Sequence, residues 1–229
     1  GLMTAEQIEA AIRPKDAYSI QTALICRENT HNAGGGTIYP LASIQDIRAV
    51  ASSHEVPMHL DGARLCNAVV GSGTSAADYA RHFETVTFCL SKGLGAPAGS
   101  LIATHDVGLL DRLRRFRRMY GGAMRQAGIL AAAGLYALDH NIQRLADDHA
   151  NARRLAALLQ QIPAVSINPD VVETNILFFD VHSSQLSMPD FVAALKREGL
   201  LLNAVGGKTC RAVTHLDVSA DAIERAADI

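Results

Sequence analysis

Cysteine is scarce and scattered in this chain of 229 residues: Cys26, Cys66, Cys89 and Cys210 include no C-x-x-C pair. That spacing argues against a disulfide framework and against a structural zinc site, no metal is expected, and a reducing cytoplasm is the expected setting. An excess of charge is missing too. Lys and Arg number 21 against 23 Asp and Glu, a formal net charge of -2, which gives no basis for a nucleic-acid or anionic-membrane partner. No apolar run is long enough to cross a bilayer. The opening residues, Gly1-Leu2-Met3-Thr4-Ala5-Glu6-Gln7, lack the pattern of a secretory signal and read as a helix start, with Thr4 as N-cap and Gln7 at the capping-box position. What is present is apolar residue in quantity, 48% of the chain, enough for one large or two modest domains.

The most informative segment is an apolar run that ends in a serine-lysine pair, Thr85-Val86-Thr87-Phe88-Cys89-Leu90-Ser91-Lys92, followed by the glycine-rich Gly93-Leu94-Gly95-Ala96-Pro97-Ala98-Gly99. A lysine at the end of a buried strand pays a desolvation penalty as its ammonium form. Its placement there suggests an amine used as a nucleophile, with Schiff-base formation the natural chemistry. An exposed loop lysine is the plain alternative. Earlier in the chain stands Val56-Pro57-Met58-His59-Leu60-Asp61-Gly62-Ala63-Arg64, a short strand with a carboxylate at its tip and an arginine beyond. Ligands collect at the carboxyl ends of strands in open α/β sheets, so neighbouring strand tips would bring Asp61, Arg64 and Lys92 to one crevice. Pyridoxal 5'-phosphate asks for such a set: a lysine on its aldehyde carbon and a carboxylate on its pyridine nitrogen. Arg64 would face the phenolic oxygen. Otherwise Asp61 is a turn carboxylate and Arg64 its salt-bridge partner.

Hydrophobic periodicity predicts a helix at 4–12, a strand at 19–27, a glycine-rich loop at 28–36, a helix at 43–54, the strand bearing Asp61, and a strand at 85–90 with a returning partner at 100–104. Residues 106–160 read as helical, interrupted at Gly121-Gly122. Beyond them short strands are expected at 165–167, 175–180, 200–202 and 210–213, with helices at 188–198 and 219–228. The fold class is therefore α/β: a mainly parallel sheet with helical crossovers in a large domain (1–138), plus a small C-terminal α+β domain (139–229) joined through a long helix near 139–160. The arginines at 112, 114, 115, 117 and 118 read as a solvated or inter-subunit face, with phosphate neutralisation as the second option. Gly34-Gly35-Gly36 lacks the lysine of a P-loop and reads as a turn.

Five segments in order, Glu28-Asn29-Thr30-His31-Asn32, His59-Leu60-Asp61-Gly62-Ala63-Arg64, Leu90-Ser91-Lys92-Gly93-Leu94-Gly95, Met124-Arg125-Gln126 and Thr214-His215-Leu216-Asp217, resemble the low-specificity L-threonine aldolases. These enzymes are part of the aspartate-aminotransferase-like (fold type I) group of pyridoxal phosphate proteins. The resemblance implies cleavage of L-threonine or L-allo-threonine to glycine and acetaldehyde, a small-molecule amino-acid substrate, and a homotetramer. It implies Lys92 as the catalytic, cofactor-bearing lysine, Asp61 and Arg64 on the ring, Ser91 at the phosphate, and Arg211 on the substrate carboxylate. His31 is carried as a substrate-side candidate beside a packing role, and Arg211 has an alternative as ion-pair partner of Asp217. His59 and His215 are expected to be structural. Relatives carry a further N-terminal segment with a phosphate-holding Gly-Thr turn and a ring-stacking histidine, so this stretch alone is expected to bind cofactor poorly. Many also carry a histidine near Tyr18, following the Pro-x-Asp pattern seen here as Pro14-Lys15-Asp16, and that histidine is linked to handling of the β-hydroxyl. The competing expectations are a β-eliminating lyase, which shares the Asp61–Arg64 spacing, and a non-catalytic fragment.

Overall fold

The capping box is present: the Thr4 hydroxyl accepts from Gln7 N–H, the Gln7 side chain accepts from Thr4 N–H, and helix α1 follows over Ala5–Ala11. The structure, a computed structural model, describes residues 1–182 and 186–229. Strand β1 occupies Ile25–Glu28, helix α2 Leu41–Ser53, strand β2 Met58–Asp61, helices α3 and α4 Leu65–Ser72 and Ala76–Ala80, and strands β3 and β4 Thr85–Cys89 and Ser100–Ala103. These four strands form one sheet in chain order, with β1, β2 and β3 parallel and β4 antiparallel to β3. Helix α2 crosses between β1 and β2, and it buries Ile44, Ile47 and Ala51 at the i, i+3, i+7 spacing of one face. Those residues pack with Met58 and Leu60 of β2 in the main core.

Helices α5 (Val107–Met119), α6 (Gly128–His140) and α7 (Leu145–Leu159) lead to a second, antiparallel sheet. It contains β5 (Val165–Ser166), β6 (Ile176–Val181), β7 (Asn203–Gly206) and β8 (Thr209–Val213), in the order β5-β6-β8-β7. Helices α8 (Met188–Arg197) and α9 (Ala220–Asp228) complete it. Its own core joins α7, β6 and β8 through Ala152, Leu155, Ala156, Leu177, Phe179, Cys210 and Ala212. The architecture is thus a mainly parallel sheet with helical crossovers plus a small antiparallel α+β unit, as the sequence indicates.

Four details differ from the sequence pattern. Residues 19–24 are not strand: the Asp16 carboxylate accepts from Tyr18 N–H and Ser19 N–H, and the ladder begins only where Ile25 N–H meets Pro57 C=O. Residues 200–202 are not strand either, because Gly199 turns left-handed (φ 89°) and Leu200 N–H closes α8 onto Leu195 C=O. The strand there is β7. The long helix near 139–160 is broken between α6 and α7. Helices α3 and α4 are additional.

Candidate active site

Three parallel strands end at one edge of the first sheet, at Glu28, Asp61 and Cys89, with Glu28 opposite Asp61 and Asp61 opposite Thr87. Asp61 is exposed; its Oδ1 accepts from Ala63 N–H at 3.0 Å, and its other oxygen makes no hydrogen bond among the described residues. Gly62 makes this tip possible. Its N–H donates to Thr87 C=O at 2.8 Å, and a Cβ there would lie 2.6 Å from that oxygen. The chain then turns into α3 with Arg64 at the N-cap position.

Arg64 donates through Nη1 to Asn32 Oδ1 at 3.2 Å. Arg211, carried on β8 opposite Phe178 and Asn203, donates through Nη2 to the same oxygen at 2.7 Å. Two cations, one at the start of α3 and one on β8, therefore share one neutral acceptor. Burial lowers the Arg64 pKa from its ordinary value and neighbouring Arg211 lowers it further, while Glu28, Cys89 and Asp61 act in the opposite sense. An arginine remains charged regardless. Arg211 Nε is buried and has no hydrogen-bond partner among the described residues. Glu28 Oε1 accepts from Asn32 N–H at 3.2 Å, and its Oε2 lies 3.8 Å from His31 Nε2. His31 Nδ1 is also buried without a partner. The glycines after it form a plain turn, closed by His31 N–H to Thr37 C=O and Gly36 N–H to His31 C=O.

Ser91 and Lys92 are exposed on the loop after β3. Among the described residues no hydrogen bond or ion pair ties either side chain to the arginine cluster. The loop itself is held. Asn141 Nδ2 donates to Leu94 C=O at 2.7 Å, and Arg144 Nη1 approaches Gly93 C=O at 3.5 Å. Arg144 in turn pairs with the fully buried Asp148. The break between α6 and α7 supplies both anchors.

The structure thus joins Arg64 and Arg211 through Asn32, sets His31 beside Glu28 rather than against either arginine, and places Asp61 and Lys92 at the same sheet edge without a direct contact between them. The ion pair of Arg211 with Asp217 is not formed; Asp217 instead lies 3.5 Å from His215. His59 is hydrogen-bonded to Thr85 at 2.7 Å, whereas His215 is exposed. Tyr18 is fully exposed. Glu28 and Asn32 were not singled out as site residues by sequence. The available signal was a carboxylate at the tip of β1, matching that at the tip of β2.

A family model described as beta-eliminating lyase matches residues 1–183. A low-specificity L-threonine aldolase 1 of Arabidopsis thaliana is 38% identical over 222 residues, covering 96% of this chain and 62% of that protein. A low specificity L-threonine aldolase of Escherichia coli O157:H7 is 37% identical over 228 residues, covering 99% of this chain and 65% of that protein. The chain spans a little under two thirds of the length of these curated relatives. Among solved structures, a threonine aldolase of Leishmania major superposes with a TM-score of 0.78 at 21% identity, over 99% of this chain and 66% of that one. At that identity the likeness shows the fold.

Proposed function

The chain belongs to the beta-eliminating lyase family, and we propose that the protein carrying it uses pyridoxal 5'-phosphate to cleave L-threonine or L-allo-threonine into glycine and acetaldehyde. The side chains fit this cofactor: Asp61 keeps an oxygen free at the sheet edge, Lys92 stands exposed just past β3, and Arg211 keeps a buried, unpartnered Nε. That orphaned Nε is the observation that carries the reading, because a buried guanidinium N–H without an acceptor calls for an anion.

In this assignment Lys92 Nζ would be the amine that holds the cofactor through its aldehyde carbon. Asp61 would hold the proton on the pyridine nitrogen, since an ionised carboxylate there favours the protonated ring. Arg64 would be the donor for the phenolic oxygen and Ser91 one for the phosphate. Arg211 grips the substrate carboxylate, which orients the Cα–Cβ bond for cleavage, and His31 lies on the substrate side. When bound, the cofactor accepts the electron pair left on Cα as that bond breaks.

The domain boundary is placed between residues 138 and 139. A cytoplasmic location is supported by four free cysteines. No helix among the described residues is long and apolar enough to cross a membrane. Self-association, for which we propose a homotetramer, is supported by the exposed apolar residues on and around α5: Leu101, Ile102, Phe116 and Tyr120.

Lys92→Ala tests the core of the proposal. The cofactor-loaded protein is expected to show a visible absorbance band and a mass increase after borohydride reduction, and Lys92→Ala is expected to show neither. A parent protein with no such band would refute cofactor use. Products separate the chemistries: acetaldehyde and glycine from threonine support aldol cleavage, whereas pyruvate and ammonia from a β-substituted amino acid support β-elimination, the reaction in the family's description.

A further inference from the structure

We propose that Asn32 is a positioning residue that fixes the spacing of Arg64 and Arg211 while leaving both their charges available to anions. The inference rests on the function proposed above, in which one guanidinium meets the ring's phenolic oxygen and the other the substrate carboxylate.

Three observations support it. Asn32 Oδ1 accepts from Arg64 Nη1 at 3.2 Å and from Arg211 Nη2 at 2.7 Å, so a single atom sets the distance between a side chain at the start of α3 and one on β8. Like charges this close repel, and a carbonyl oxygen with two acceptor sites can bridge them without adding charge. The turn bearing Asn32 is itself fixed, since its N–H donates to Glu28 Oε1 at 3.2 Å. Finally, Arg211 Nε stays buried and unpartnered although Nη2 of the same guanidinium is engaged.

The neutrality of the acceptor is the key chemical point. A carboxylate at this position would bridge the arginines at least as strongly, through charge-assisted bonds, but it would also offset one of their two positive charges. An incoming substrate carboxylate would then compete with a resident one. An amide oxygen positions the fork without consuming its charge.

The test compares Asn32→Asp with Asn32→Ala in the cofactor-loaded protein, with glycine as the probe. Glycine binding is followed by the change in the visible band, with the pH titration of that band and the melting temperature measured alongside. Asn32→Asp is expected to weaken glycine binding by about tenfold or more, and to raise the midpoint of the band's titration, because added negative charge favours the protonated form. Asn32→Ala, which keeps both positive charges, is expected to weaken glycine binding less and to leave that midpoint in place. Unchanged glycine affinity in Asn32→Asp, or equal losses in the two variants with no movement of the midpoint, would overturn the assignment. Should Asn32→Asp fail to fold, Asn32→Ser carries the test: affinity nearer the parent's than that of Asn32→Ala supports positioning by a neutral acceptor, and no recovery refutes it. A parent protein lacking the band defeats the proposed function itself; a normal band with unaltered glycine binding in Asn32→Asp defeats only the role of Asn32.

Discussion

Asp61 shows how one residue is made into a tool by its neighbours. Ala63 N–H fixes Oδ1 at 3.0 Å, so the carboxylate has one preset orientation and one oxygen to offer. In the proposed reaction that oxygen keeps the ring nitrogen protonated, a role an amide cannot fill because it bears no charge. Asp61→Asn is therefore expected to retain the visible band while threonine cleavage falls by about 10²–10³-fold, the scale seen when one preorganised electrostatic partner is removed. Cleavage within tenfold of the parent would show that this carboxylate does not act on the ring. The placement of Asp61, Arg64 and Lys92 at one end of the sheet was legible in the sequence because Asp61 closes β2 and the other two lie just beyond β2 and β3, so local spacing alone puts them there. Asn32 was not, since its importance comes from contacts with Arg64, 32 positions away, and Arg211, 179 positions away. No local pattern encodes a contact of that range.

At the scale of elements, the junction of β2 with β3 depends on Gly62. A methyl group there would face a backbone oxygen at 2.6 Å, which cannot rotate away. Gly73 offers the contrast. It ends α3 in the left-handed region at φ 73° with open space around its Cα, so a side chain meets conformational strain and no clash. Gly62→Ala is expected to destabilise the protein by about 2–4 kcal/mol, in the range of forced overpacking, and Gly73→Ala by about 1 kcal/mol. Urea unfolding of the two variants checks the order; equal midpoints would mean the Thr87 carbonyl shifts freely.

Most elements were readable because apolar periodicity and capping residues act over a few positions. Thr4 with Gln7, the α2 face of Ile44, Ile47 and Ala51, and β3 with β4 are examples. The failures have a common cause. Residues 19–24 and 200–202 are apolar enough for strand, yet a ladder also needs a partner, and the turn at Asp16 and the closure of α8 by Leu200 N–H take the backbone elsewhere. Likewise the break between α6 and α7 is set by where Asn141 and Arg144 must reach to hold Gly93 and Leu94.

At the scale of the whole molecule, the two sheets are joined through a buried polar seam. Thr174 Oγ1 donates to Gly36 C=O at 2.6 Å and Thr214 Oγ1 to Asp148 C=O at 2.6 Å. Asn175 Nδ2 donates to Thr214 C=O at 2.9 Å, while Asn67 Nδ2 reaches His149 Nε2 at 3.1 Å and Asn175 Oδ1 at 3.4 Å. The seam orients β8, and with it Arg211, against the edge that carries Arg64. Its weak point is His149. Burial, with help from Arg153, lowers its pKa from 6.5 to about 4, so in the fold it is neutral and accepts from Asn67 through Nε2. A proton on Nε2 would set a donor against a donor.

Between pH 6.5 and about 4 the unfolded chain binds a proton at this site that the folded chain refuses. The stability linked to His149 is therefore fully present above the unfolded value and drains away as pH falls through that window, by about 1–3 kcal/mol in all. Asp148, whose pKa burial raises, acts in the opposite sense at the acid end. His82, lowered chiefly by burial, adds to the acid loss and is common to both proteins compared. His149→Gln keeps hydrogen-bonding capacity without a titrating ring. Its melting temperature is expected to fall less than the parent's between about pH 7 and pH 5, even if it starts lower. Parallel melting curves across that range would mean that the seam accepts the proton and that acid acts on the fold elsewhere.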